Sequence, residues 1–309
     1  MDKIILFGAG KNGQSIYQFL KRRGQNTVVE CFCDNNIKYI EELQDEITVR
    51  SYEACRNMNY KFVITTTKYV EEIEKQLQSE HKEYFTDINE WAVSQGIDMV
   101  EWNRDYCAWY HIDSMEAYFT QAESDTNMNI FWSEDSAFYK MFCKLDLNNV
   151  IELAVGRGRH VNMYEAVAKH IVLVDILQEN IDFCKERFSG NTKIEYYCNN
   201  GYNLSELMDE EYTALFTYDA MVHFEMMDIF EYLKDIHRVL RKGGMALFHH
   251  SNNCSDYKSS FYNAQGRRSY MCKDLFAYLA YRIGFEIVEQ QVIDWGVKDL
   301  DCISLVRKV

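Results

Sequence analysis

The chain has 309 residues, a formal charge of −15, 47% hydrophobic and 15% aromatic residues, which is material for two packed domains of ordinary size. Its acidity, with no basic stretch longer than "LKRRG" at 20–24, excludes a reader of the nucleic-acid backbone, and no apolar run reaches the ~20 residues of a membrane-spanning helix. The start "MDKIILFGAG" has neither the basic opening nor the long apolar core of a secretory leader, and the ten cysteines form no CxxC pair, so the expectation is a cytoplasmic chain with free thiols and no metal centre.

"KIILFGAG" reads as a buried strand that stops at glycine, and "KNGQSIYQFLKRRG" has apolar residues at helical spacing, closed by Gly24. Gly8, Gly10 and Gly13 form G-x-G-x-x-G between this strand and helix, and Asp34 ends the next strand, "TVVECFCDNN", where an acid meets a ribose in dinucleotide-binding turns. Such glycines let backbone N–H groups approach a pyrophosphate. Close packing of helix on strand is an equally good reason for them. Strand and helix then alternate through "ITVRSYEACRN", "KFVITTTKYVEEIEKQLQ" and "EYFTDINEW", predicting a small parallel sheet with flanking helices over residues 1–90. "FGAGKNG" and "CFCDNN" resemble the Rossmann-like domain attached to enzymes of surface-glycan biosynthesis. The resemblance implies a bound NAD(P) or nucleotide-sugar and does not choose between them.

Residues 91–145 are crowded with aromatics, among them Trp102, Tyr106, Tyr110, Tyr118, Phe131 and Trp132, and lack the Gly/Ser character of a flexible linker. They are expected to be helices that connect the two domains and cap a cleft in the second.

The remainder, 146–309, alternates again. "NNVIELAVGRGRH" is a strand and glycine turn, "VNMYEAVAKH" a helix, "HIVLVDIL" a strand ending at Asp175, and "KIEYYCNNG" and "YTALFTYDAMVHF" two more strands. "EMMDIFEYLKDIHRVLRKGG" carries a helical apolar stripe expected to end at Gly243 and Gly244. A strand "MALFHHSN", a helix "KDLFAYLAYRIGF" and two closing strands complete it. The fold class expected for the whole chain is α/β, with two doubly wound Rossmann-like domains.

The order E-x-[GA]-x-G-x-G, an acid ending the second strand, a helix closing in "RVLRKGG" and a terminal antiparallel hairpin resembles the class I methyltransferases that use S-adenosylmethionine (SAM). The resemblance implies that Ala154, Gly156 and Gly158 pass close to the amino-acid tail of the cofactor. It also implies that Glu152 faces the ammonium group, Asp175 accepts the ribose hydroxyls, Ile176 packs on the adenine and Asn200 meets its amino group. Arg157 and Arg159, bulky residues within the turn, are expected to point outward. The methyl group then lies near the end of the fourth strand, which makes His223 the first candidate base, titrating near 6.5. His249 on the fifth strand is its rival, and Asp219 could orient a histidine or the cofactor ammonium. Arg267 and Arg268 could clamp an anionic acceptor, although a solvated pair is equally consistent. "DAMVHFE", "HHSNN" and the closing strands resemble methyltransferases of polysaccharide biosynthesis, which implies a sugar or nucleotide-sugar acceptor. Two other readings stay open: a nicotinamide-dependent oxidoreductase fused to a methyltransferase, and a methyltransferase with a non-catalytic docking domain. Homo-oligomerisation also stays open.

Overall fold

The computed structural model describes residues 1–36, 47–113 and 116–309, and they divide into two compact units, Met1–Trp102 and Asn103–Val309. Among the described residues, no helix is long and apolar enough to cross a membrane.

The first unit is built on a parallel sheet of strands β1 (Ile4–Phe7), β2 (Val29–Cys33), β3 (Val49–Arg50), β4 (Lys61–Ile64) and β5 (Tyr84–Phe85), in the order β3-β2-β1-β4-β5. Continuous apolar runs such as "IILF" suit strands covered on both faces, and all four residues of β1 are buried. The chain leaves β1 through Gly8, at φ +121°, and enters α1 (Lys11–Arg22), which buries Ile16, Phe19 and Leu20. Gly13 lies where α1 crosses this turn. A Cβ there would stand 1.9 Å from the Gly8 carbonyl oxygen. Trp102 closes the unit, fully buried and donating from Nε1 to Asn89 Oδ1 at 2.7 Å.

The second unit holds a mixed seven-stranded sheet. Its strands are β6 (Asn149–Leu153), β7 (His170–Asp175), β8 (Ile194–Cys198), β9 (Tyr212–Thr217), β10 (Leu240–Ser251), β11 (Phe285–Ile293) and β12 (Asp301–Lys308), in the order β11-β12-β10-β9-β6-β7-β8. β12 pairs antiparallel with both β10 and β11, and the other neighbours are parallel. Alternation along β10 sends Leu247 and Phe248 into separate apolar cores on the two faces. Each fully buried side chain of this size contributes roughly 1.5–3 kcal/mol. The chain runs outward from β6 to β8 and returns to pair β9 with β6. The strand order therefore reverses beside β6, opening a crevice at the carboxyl ends of β6 and β9.

The first part of the unit is helical: α2 (Met99–Asp113), whose residues from Asn103 belong here, then α3 (Glu116–Ala122), α4 (Asp125–Trp132) and α5 (Ala137–Phe142). Phe131, Trp132, Phe138 and Phe142 enter the core on one face of the sheet. One boundary differs from the sequence expectation. Helix α6 (Met226–Val239) ends at Val239 rather than at the glycines, because Leu240 already pairs with Tyr212 as the first residue of β10. Gly243, at φ +79°, lies where the register of that pairing shifts.

Candidate functional site

A cavity occupies the crevice beside β6. One wall is the turn after β6 with Asp175, Ile176 and Leu177 after β7, and a second is Tyr218 to Glu225 after β9. Across from them, α2 contributes Arg104, Cys107, Ala108 and His111, and α3 contributes Tyr118, Phe119 and Ala122. The α2 residues recur at i, i+3, i+4 and i+7, which is one face of a helix.

Asp175 organises one end. Its Oδ2 accepts the Gly156 amide at 2.8 Å, and its Oδ1 accepts the Leu177 amide at 2.9 Å and Asn180 Nδ2 at 3.1 Å. Burial pushes this carboxyl above its ordinary range, against the pull of those three donors. Ile176 lies next to it on the cavity wall, and Asn199 is fixed there by bonds from Nδ2 to the Tyr232 hydroxyl and the Asn203 carbonyl. Gly201 completes this end: a Cβ there would stand 2.4 Å from Ile176 Cδ1. Arg104 holds Asp228 with two hydrogen bonds, at 3.0 and 2.9 Å.

Asp219 organises the other end. Its Oδ2 accepts the Tyr118 hydroxyl at 3.0 Å and Arg159 Nη2 at 2.8 Å. Burial raises the carboxyl, but Arg159 outweighs it and holds the group below its ordinary value. His223 donates from Nδ1 to the Arg267 carbonyl at 2.8 Å, and His111 from Nδ1 to the Cys107 carbonyl at 2.7 Å. A carbonyl only accepts, so each Nδ1 carries the hydrogen. Burial, followed by His111 and Arg268, pushes the His223 imidazole down to about 3, and burial also lowers His111. Between His223 and Asp228, Glu225 lines the wall with its Oε1 buried and unpartnered; burial and then Asp228 push its carboxyl up to about 7.

Residues 151–248 match the family described as "Methyltransferase domain". The matched stretch spans about a third of the chain. Solved structures of low sequence identity are similar to part of the chain. An S-adenosylmethionine-dependent methyltransferase from Mesorhizobium loti is 14% identical, covers 55% of this chain and 97% of its own, and has a TM-score of 0.45. A SAM-dependent methyltransferase from Aquifex aeolicus is 10% identical, covers 62% and 98%, and has a TM-score of 0.47. Residues 1–86 match a family described as "C2185-like, N-terminal". No curated protein matches the chain.

In the second unit, Ala154, Gly156, Asp175, Ile176, Asp219 and His223 line the cavity together. Several sequence expectations are corrected. Glu152 faces away from the cavity and accepts the Tyr164 hydroxyl at 2.7 Å; burial pushes its carboxyl up to about 8, so it is neutral at pH 7. Gly158 serves packing, since a Cβ there would stand 2.6 Å from the Phe188 ring. Asn199, not Asn200, lines the wall; Asn200 is exposed and its Oδ1 accepts the Tyr202 and Asn203 amides. Arg159 points inward, because the buried Asp219 carboxylate draws it there.

His249 is fully buried off the cavity, with both nitrogens committed: Nε2 to Asp301 at 3.0 Å and Nδ1 to the Asp219 amide at 3.1 Å. A base needs a free lone pair, and His249 has none to offer. Arg268 is spent on Asp301 through Nε and Nη2, and Arg267 lies over the Tyr110 ring, 3.8 Å from its centroid, so neither lines the cavity as an anion clamp. His223 keeps its place but not its titration near 6.5, for the reasons of burial and charge given above. Sequence reasoning missed Arg104, Cys107 and His111, whose signal was helical spacing, and Tyr118, whose partner Asp219 lies 101 residues away.

In the first unit, Asp34 accepts the Ala9 amide at 2.7 Å through Oδ2 and the Asn36 amide at 2.7 Å through Oδ1. Gly8 and Gly10 bracket that amide in the turn, and Gly13 is the packing contact already described.

Proposed function

We propose that the chain is a SAM-dependent O-methyltransferase acting on a hydroxyl group of a sugar or nucleotide-sugar in surface-polysaccharide biosynthesis. The observation that carries the cofactor is the end of the cavity around Asp175. A buried carboxylate with a lone pair beyond those taken by the Gly156 and Leu177 amides and Asn180 Nδ2 suits a ribose hydroxyl, and Ile176 offers an apolar face to an adenine. Gly201, where any side chain would collide with Ile176, leaves room for a flat ring. When bound, SAM supplies an electrophilic methyl group on a sulfonium whose positive charge is lost on transfer.

The chain's residues do the rest by positioning and by proton handling. His223, neutral and with Nδ1–H tied to a carbonyl, presents Nε2 as the acceptor for the substrate hydroxyl and takes up its proton. The cavity thereby loses one positive charge and gains one, so its net charge is unchanged. Asp219, ionised and held by Tyr118 and Arg159, fixes the wall against which the acceptor rests.

For residues 1–90 we favour a non-catalytic docking role over a nucleotide site. Gly13 is explained by its contact with Gly8, a packing role that needs no ligand. Two measurements test these readings: calorimetry of S-adenosylhomocysteine, NAD and UDP-glucose with the full chain, and the mass shift of a nucleotide-sugar panel incubated with SAM. Failure to bind S-adenosylhomocysteine sinks the methyltransferase reading. Tight NAD or UDP-glucose binding that Gly10→Val abolishes sinks the docking reading.

A further inference from the structure

His111 and His223 belong to different elements, α2 and the turn after β9, yet their ring centroids are 5.8 Å apart. Phe261 packs against both, at 5.6 and 5.2 Å. Each ring is anchored the same way, with Nδ1–H given to a backbone carbonyl. Each lines the cavity, and neither Nε2 has a hydrogen-bond partner among the described residues. The tautomer is thus fixed, and each of the two neighbouring rings keeps one unpartnered lone pair. They cannot satisfy each other, because both are acceptors. The nearby donors do not satisfy them either: Tyr118 and Arg159 are turned to Asp219. Among the described residues, no group of three or more His, Cys, Asp or Glu could hold a metal ion.

We infer that His111 and His223 form a hydrogen-bond-accepting clamp for two neighbouring hydroxyl groups of a neutral polyol, the part of the acceptor substrate that receives the methyl group. The inference rests on the methyltransferase reading above and deepens it by fixing the chemistry of the acceptor. An ionised carboxylate brings only lone pairs and is repelled. A hydroxyl pair brings two donors, one for each nitrogen. His111 is a binding residue in this arrangement and holds the second hydroxyl while His223 receives the proton of the first. Burial lowers both imidazoles, His223 down to about 3, which favours the neutral form that accepts a hydrogen bond.

The test uses the full chain saturated with S-adenosylhomocysteine and labelled with ¹⁵N-histidine. Methyl α-glucoside and myo-inositol are expected to move the Nε2 resonances of both residues and leave both Nδ1–H resonances in place. His111→Leu is expected to weaken methyl α-glucoside binding about tenfold, the loss of one hydrogen bond, and His111→Gln, which puts an amide oxygen near the position of Nε2, to restore it to within about threefold. S-adenosylhomocysteine affinity serves as the control for folding and should change less than about twofold in both variants. Movement of the Nε2 resonances by inorganic phosphate or propylamine and not by the polyols overturns the inference. So does stoichiometric zinc binding that needs both histidines, or a His111→Gln variant no better than His111→Leu. Failure of the wild type to bind S-adenosylhomocysteine instead strikes the underlying methyltransferase reading.

Discussion

Asp34 receives the Ala9 amide at 2.7 Å in the first unit, and Asp175 receives the Gly156 amide at 2.8 Å in the second. In both, an acid ending the second strand ties down the turn that follows the first. The surroundings differ. Asp34 is half-buried, and Gly13 is pressed against the turn it should leave open. Asp175 is 5% exposed and shares a cavity with the lining faces of two helices and the Asn199–Gly201 turn. The strand–turn–acid arrangement is therefore a structural tie in both units, and at Asp175 other elements wall a cavity above it.

The sharpest break between the regions is chemical. His223→Ala is expected to lower the methyl-transfer rate about 10²–10⁴-fold, the usual contribution of a positioned base, while S-adenosylhomocysteine affinity is kept. Because His223 is pushed down to about 3, its imidazole should remain in the neutral Nδ1–H form at pH 5 by histidine ¹⁵N spectroscopy. A near-normal rate in the variant removes His223 from the role of base, and an imidazolium at pH 5 overturns the depressed titration.

Next in size is the exchange of the two acids. Asp175→Ala leaves a ribose hydroxyl and two loop amides without their acceptor, at about 1–3 kcal/mol for each unsatisfied group. Calorimetry should show S-adenosylhomocysteine binding weakened by about 10²-fold or more, whereas Asp34→Ala should leave it unchanged. Equal losses in the two variants would dissolve the distinction between a tie and a site.

The glycines separate the regions by a similar but smaller margin. Gly13→Ala places a methyl group 1.9 Å from the Gly8 oxygen, an overpacking expected to cost about 1–3 kcal/mol by denaturant unfolding of the first unit. Gly10 has φ −70°, outside the left-handed region, so Gly10→Ala should cost less. If the two variants unfold alike, Gly13 is not the packing glycine of the first unit.

What the sequence disclosed follows the same division. Strand order, the acid ending β7 and the helical stripe of α6 were legible because periodicity and glycine turns are local signals. Asn199 and Asn200 are adjacent, and only the fold decides which one faces the cavity. The roles of Glu152, Arg268 and His249 depended on Tyr164 and Asp301, partners that no local pattern reveals. Arg159 was misread for a physical reason: a turn expected to expose a bulky cation instead buries it against an acid 60 residues further on. His111 carried no motif at all, since its significance lies in its distance from His223.

The smallest expected effect lies at the first residue after the leading strand of each unit. Gly8 and Ala154 both have positive φ, +121° and +59°. An L-residue in the left-handed region costs about 1–2 kcal/mol relative to its ordinary conformations. Glycine avoids that cost but loses about 0.4–1 kcal/mol more chain entropy on folding than alanine. The balance gives Ala154→Gly a net stabilisation of about 0.5–1 kcal/mol, seen as a rise in melting temperature of about 2 °C for a unit of this size. Because Ala154 lines the cavity through a single methyl group, cofactor affinity should move by less than about threefold. Gly8→Ala should act in the opposite direction: the backbone there lies outside the range an alanine readily adopts, and its Cβ would meet Thr65 Oγ1 at 3.1 Å. If Ala154→Gly destabilises the chain, the methyl group of Ala154 contributes more to packing in this turn than its backbone strain costs, and the two turns differ in their internal packing as well as in what lies above them.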